Sequence, residues 1–135
     1  MNTSSFSIAR MVPMVIVMGT IFFLSHQSGS ELNVPSIEHL DKFGHFVIYG
    51  LLAASVIWAT PEQLRQRRPK LIFIMTIIFC FLYGISDEFH QSFIPDRSVS
   101  GADLVADLCG IVFVSGIWIK KFDKCAKSIS SFIAP

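Results

Sequence analysis

The sequence has few charged residues and almost no net charge, which excludes several classes of protein. Only 16% of its 135 residues are Asp, Glu, Lys or Arg, and the formal net charge is +1. A nucleic-acid-binding protein needs a basic patch, whereas the basic residues here form short clusters beside apolar runs. The three cysteines follow no metal-ligand or disulfide spacing, so we expect them to serve in packing.

Long apolar runs dominate the sequence instead. Hydrophobic residues make up 52% of the chain, 13 residues are Phe, and the mean hydropathy is +0.57. This is too apolar for a soluble domain of this length, and a run of about 20 mostly apolar residues is long enough to cross a bilayer as a helix. The sequence therefore predicts an all-α fold, a single domain over 1–135 built as a four-helix transmembrane bundle with short loops, with spans at about 8–24, 43–59, 71–91 and 104–119.

The basic residues predict the orientation of these spans. Nine of the eleven Lys and Arg residues lie at the two termini or in the loop 61–70, and only Lys42 and Arg97 lie on the other side. Because cytoplasmic loops retain basic residues, both termini should be cytoplasmic. The first span also resembles a cleavable signal peptide, whose removal would leave the other three spans in the same orientation.

Acidic residues cluster at the opposite ends of the spans, on the side predicted to face outward. A bilayer tolerates carboxylates only at its edge or inside a protein-lined pocket. Eight of the ten acids belong to this group: Glu31, Glu38, Asp41, Asp87, Glu88, Asp96, Asp103 and Asp107.

Three spans carry polar residues four apart, the spacing that places side chains on one helix face. Two plainer interpretations remain open: Asp41 as an interfacial helix cap, and a third span that emerges into water at Ser86. The matched spacing favours a site facing the bundle interior. The sets are Asp41, His45 and Tyr49 in the second span, Tyr83, Asp87 and Gln91 in the third, and Asp103 and Asp107 in the fourth.

We expect nine of these polar residues to converge into one substrate-binding cavity at the outer face. Arg97 follows a Pro95-Asp96 turn, and we expect its guanidinium to neutralise part of the acidic set. Loss of Arg97 should then destabilise the protein more than loss of Lys42. The nine residues are Asp41, His45, Tyr49, Asp87, Glu88, Gln91, Arg97, Asp103 and Asp107.

The same residues offer candidates for catalysis without establishing it. Asp87, Glu88 and His45 are of the types that act as general acid or base. Metal ligation by His45, His90 and carboxylates is an alternative, but no recognised metal-binding spacing is present. The sequence therefore identifies neither a cofactor nor a metal, and it leaves open whether the protein is an enzyme.

Four motifs in this order resemble the VanZ-like family of small bacterial membrane proteins. They are Asp41-Lys42-x-x-His45-Phe46-x-x-Tyr49, Asp87-Glu88-x-x-Gln91, Phe93-x-Pro95-x-Arg97 and Asp103-x-x-x-Asp107-x-x-Gly110. The resemblance implies a multi-pass protein of the bacterial inner membrane, in a family whose founding member is associated with resistance to the glycopeptide teicoplanin. Position 107 is often Asn in that family, so Asp107 adds a charge here.

Three functions are compatible with these features. The first is a binding protein whose outer polar site recognises a membrane lipid headgroup or a lipid-linked cell-envelope precursor. The second is a membrane-embedded hydrolase or transferase that acts on such a lipid, with or without a metal. The third is a structural role, in which the polar cluster only joins the helices.

Overall fold

The computed structural model describes residues 8–28, 40–97 and 99–133, with side chains described up to residue 122. In these ranges every secondary-structure element is a helix, and turns connect them. A short 3₁₀ turn, Ile8–Met11, leads into the first helix. The helices are α1 (Val12–Ser25), α2 (Leu40–Ala59), α3 (Glu62–Arg67), α4 (Pro69–Gln91) and α5 (Gly101–Ile133).

Four segments are long and apolar enough to cross a membrane, which confirms the predicted all-α fold with four spans. Their bounds are Ile8–Ser25, Leu40–Ala59, Pro69–Gln91 and Gly101–Phe122. The bilayer interior offers no water to the backbone, so each crossing segment must satisfy its own N–H and C=O groups as a helix.

The helix ends differ from the prediction most at α2 and α5. α2 begins at Leu40 and α5 at Gly101, each three residues before the predicted start, so Asp41 and Asp103 lie in first helical turns. A carboxylate there is favoured by the positive end of the helix dipole. α5 also continues to Ile133, beyond the predicted end at 119, and the loop 61–70 contains the short helix α3.

The bundle buries polar side chains at one end and exposes apolar ones around its circumference. A buried apolar cluster lies at its centre, and Tyr49, Leu52, Cys80 and Ile111 belong to it. Phenylalanines in every long helix are exposed instead, as expected for a surface that faces lipid: Phe22, Phe43, Phe79 and Phe113 are examples. Cys109 is exposed too, so the packing role expected for it is wrong, and the side chain of Cys125 lies outside the described residues.

α2 and α5 form the most extensive helix pair, and a glycine permits their close approach. A Cβ added to Gly110 would collide with the backbone carbonyl oxygen of Phe46 and lie 3.2 Å from the amide nitrogen of Gly50. Small residues allow two helix backbones to approach in this way. The contact fixes the register of α2 against α5. It thereby sets the relative positions of the polar side chains that lie near it on the two helices.

Candidate functional site

A cavity of about 480 Å³ opens at one end of the bundle, where α1 and α4 end and α2 and α5 begin. We call this the acidic end. The cavity wall combines aliphatic side chains with charged ones. Its lining residues are Ile21, Leu24, Ser25, Leu40, Asp41, Gly44, His45, Ile48, Tyr49, Asp87, Gln91, Asp96, Arg97 and Asp103.

The polar face of α2 connects to α5 through a histidine–carboxylate pair. The Nδ1 atom of His45 lies 2.9 Å from Oδ1 of Asp107, and only 1% of the Asp107 side chain is exposed. One turn along α2, the ring of Tyr49 is fully buried and lies parallel to the imidazole, with centroids 6.3 Å apart. Asp41 differs from both, since its side chain is 58% exposed at the rim of the cavity. Asp41 lies in the first turn of α2, as the helix-cap interpretation expects, and it also lines the cavity.

The polar face of α4 is tied to the end of α1. The side-chain amide nitrogen of Gln91, Nε2, donates to the hydroxyl of Ser25 at 3.1 Å and to Oδ2 of Asp87 at 3.1 Å. Tyr83, two turns before Gln91, donates its hydroxyl to the carbonyl oxygen of Met18 at 2.8 Å. These bonds hold α1 against α4 and close one side of the cavity.

Glu88 reaches the start of α5 from a different face of α4. Its Oε2 accepts a hydrogen bond from the backbone N–H of Ser100 at 3.1 Å. Only 3% of the residue is exposed, and Oε1 is buried without a hydrogen-bond partner among the described residues. Asp87 and Glu88 are both buried, so they are not solvated, as the interpretation of a helix emerging into water at Ser86 required.

The prediction that Arg97 neutralises the acidic set is wrong for the part of the chain that the structure describes. The Arg97 guanidinium lines the cavity and donates from Nη2 to the carbonyl oxygen of Leu24 at 3.0 Å, and it makes no ion pair with a described carboxylate. Lys42 takes that role, because its Nζ lies 2.9 Å from Asp41 and 3.4 Å from Asp103. The turn before Arg97 brings its side chain back to the end of α1, where it bonds Leu24.

Comparison with known proteins decides the family. The VanZ/LLP1 family model matches residues 2–122, which is most of the chain. The chain belongs to this family. No curated protein and no solved structure matched it. The resemblance found in the four sequence motifs is thereby confirmed, and the chain is a multi-pass VanZ/LLP1 membrane protein.

The motifs of this VanZ/LLP1 protein meet at the acidic end. Seven of the nine predicted site residues lie on the cavity wall. Glu88 and Asp107 lie beside it, since both neighbour His45. Within the described residues, three potential metal ligands lie close together: His45, Glu88 and Asp103. Each offers one ligand atom, and these three atoms lie within 4.8 Å of one another, close enough to share a metal ion.

His90, the other histidine named as a candidate metal ligand, lies apart from this group. Its ring stacks on Phe22 and on His26, with the His26 Nδ1 and His90 Nε2 atoms 3.3 Å apart. His26 is exposed, and its ring stacks on the ring of His90.

Several residues outside the nine predicted ones also build the site. Asp96, named above among the outward acids, lies on the wall together with Ser25, and Ser100 binds Glu88 through its backbone. Gly84 lies against the site as well, since a Cβ there would lie 3.1 Å from Oδ2 of Asp107 and 3.3 Å from the Tyr49 ring. Ser25 is at the polar end of the first span and was detectable from its position, whereas a glycine that only makes room leaves no signal in a single sequence. Glu31 and Glu38 lie outside the described residues.

Proposed function

We propose that the cavity at the acidic end binds the headgroup of a membrane lipid or of a lipid-linked cell-envelope precursor. The observation that supports this most directly is the composition of the wall. Ile21, Leu24 and Ile48 form an apolar part, and Asp87 and Arg97 belong to a charged part. A cavity of about 480 Å³ that is open at the bundle end suits a ligand with a polar head and an apolar stem.

The polar groups of the wall can recognise both parts of such a headgroup. The Nε of Arg97 is buried and has no hydrogen-bond partner among the described residues, so the guanidinium retains a donor for phosphate or carboxylate. The carboxylates accept hydrogen bonds from hydroxyl or amine groups, which sugars and peptides supply. These two properties favour an envelope precursor over a purely hydrocarbon ligand.

We further propose that this face is the outer face of the bacterial inner membrane. The nine-to-two distribution of basic residues supports this orientation. The basic loop at the start of α4 is separated from the acidic end by the full length of that helix. Teicoplanin resistance would follow if the bound precursor is the antibiotic's target. Expression in a sensitive bacterium should then raise the inhibitory concentration of teicoplanin.

Native mass spectrometry of the purified protein in mild detergent tests the binding proposal. The wild type should carry a co-purified lipid, and Asp87→Asn and Arg97→Ala should each reduce its occupancy. Glu62→Gln is a matched control, because Glu62 lies in α3, outside the cavity. Equal lipid occupancy in all four proteins would contradict the proposal.

A second candidate function is hydrolysis or group transfer on the bound lipid. The His45–Asp107 pair favours it, because a carboxylate that orients an imidazole is the arrangement of a general base. Incubation of the purified protein with its co-purified lipid distinguishes the two functions. A product that accumulates with wild type and not with His45→Gln would establish catalysis, and an unchanged lipid would leave binding alone.

A further inference from the structure

We propose that His45, Glu88 and Asp103 bind one divalent transition-metal ion, with Zn²⁺ and Mn²⁺ as the ions that fit. The three residues come from α2, α4 and α5, and one ligand atom of each lies within 4.8 Å of the others. Zinc bonds to nitrogen and oxygen are about 2.0–2.2 Å long, so small side-chain rotations bring these atoms to ligand positions. Imidazole suits Zn²⁺ and carboxylate suits Mn²⁺, and this set holds both.

The burial of these carboxylate oxygens is an independent argument for a cation at this position. Glu88 is 3% exposed, and its Oε1 has no hydrogen-bond partner among the described residues. Asp103 is 7% exposed, and its Oδ1 has only the Lys42 ammonium, at 3.4 Å. Buried carboxylates are costly unless they are paired or coordinate a metal. A cation shared by Glu88 and Asp103 would supply a partner for the Glu88 oxygen and a closer one for the Asp103 oxygen.

The pairing of His45 with Asp107 prepares the imidazole for such a role. A neutral imidazole that donates from Nδ1 to Asp107 carries its lone pair on Nε2. Metal-ligating histidines commonly donate their other ring N–H to a carboxylate, which fixes the tautomer. Asp107, which is 1% exposed and 2.9 Å from Nδ1, would be this orienting residue.

A bound cation also explains how an acidic cavity could accept an anionic headgroup. Without it, a phosphate would meet Asp87 and Asp103 on the wall and Glu88 and Asp107 behind it. A divalent ion offsets two of these negative charges and can coordinate a phosphate oxygen directly. This consequence rests on the proposed function, but binding of the metal itself does not, since it can be measured without lipid.

The test is metal binding by the full chain, purified in detergent with a tag that contains no histidine and stripped with a chelator. Isothermal titration and elemental analysis with Zn²⁺, Mn²⁺ and Mg²⁺ should find one equivalent of Zn²⁺ or Mn²⁺ per chain and weaker Mg²⁺ binding. Glu88→Gln and Asp103→Asn should each weaken the binding at least tenfold. Gln at position 88 can still accept the Ser100 hydrogen bond, and thermal midpoints without metal show whether each variant is folded.

Glu62→Gln is the matched control, because it makes the same chemical change in α3, outside the cavity and outside the proposed ligand set. The metal affinity of this variant should equal that of the wild type. Wild-type protein without stoichiometric Zn²⁺ or Mn²⁺, or a folded Glu88→Gln variant with undiminished affinity, would overturn the inference. A wild type that binds lipid but takes up neither Zn²⁺ nor Mn²⁺ would overturn the metal site and leave the proposed function standing.

Discussion

Replacing Gly110 by alanine should separate α2 from α5 and so disturb the pair between His45 and Asp107. An added Cβ would collide with the carbonyl oxygen of Phe46 and lie 3.2 Å from the amide nitrogen of Gly50. Both atoms belong to the backbone of α2, so no rotamer change can relieve the contact. The helices themselves must move apart.

The change in the free energy of unfolding follows from two opposing effects. Alanine is favoured over glycine inside a helix by about 1 kcal/mol, whereas overpacking a well-packed contact costs about 1–3 kcal/mol. Because the obstacle at Gly110 is backbone, we expect the upper end of that range and a net loss of about 2 kcal/mol in the free energy of unfolding. Gly116 lies in the same helix with no atom within 4 Å of its added Cβ, so Gly116→Ala should gain up to about 1 kcal/mol.

The comparison of the two variants is therefore the assay. Thermal unfolding in detergent, followed by circular dichroism, should give a lower midpoint for Gly110→Ala than for the wild type, and a midpoint at or above the wild-type value for Gly116→Ala. The free energies of unfolding of the two variants should differ by about 3 kcal/mol, because both gain helix propensity and only Gly110→Ala is overpacked. Equal midpoints for the two variants would refute the close approach of α2 and α5.

Two further predictions rest on single contacts, and a third concerns the orientation in the membrane. Lys42→Ala should lower the thermal midpoint more than Arg97→Ala, because Lys42 bridges Asp41 and Asp103 whereas Arg97 donates to a backbone carbonyl; the reverse order would return the counter-ion role to Arg97. Tyr83→Phe should cost about 1 kcal/mol in the same measurement, since it deletes the hydrogen bond to the Met18 carbonyl, and an unchanged midpoint would show that α1 is held by packing alone. In a background without native cysteines, Gln66→Cys and Val99→Cys should react with an impermeant reagent from opposite sides of the membrane, with Val99→Cys labelled from outside; labelling from the same side would contradict the orientation.

The sequence by itself determined the fold class and which residues share a face of each helix. A bilayer requires crossing segments to be apolar helices of a set length, so hydropathy alone located four spans. The period of 3.6 residues then placed His45 and Tyr49 on one face of α2, and Asp87 and Gln91 on one face of α4. Both rules are local, because each depends only on the residues of one segment.

Only the tertiary structure decided which polar groups meet. Periodicity gives the face on which a residue lies, but not the rotation of that helix about its axis or the neighbour that the face meets. His45 therefore gave no sign from its own helix that it would pair with Asp107, 62 residues away, and Glu88 gave none that it would bind the backbone of Ser100. The same limit explains the error over the cation. Arg97 follows the acids in sequence, yet the turn before it directs its guanidinium to Leu24, while Lys42 reaches Asp103 because α2 and α5 approach closely at Gly110.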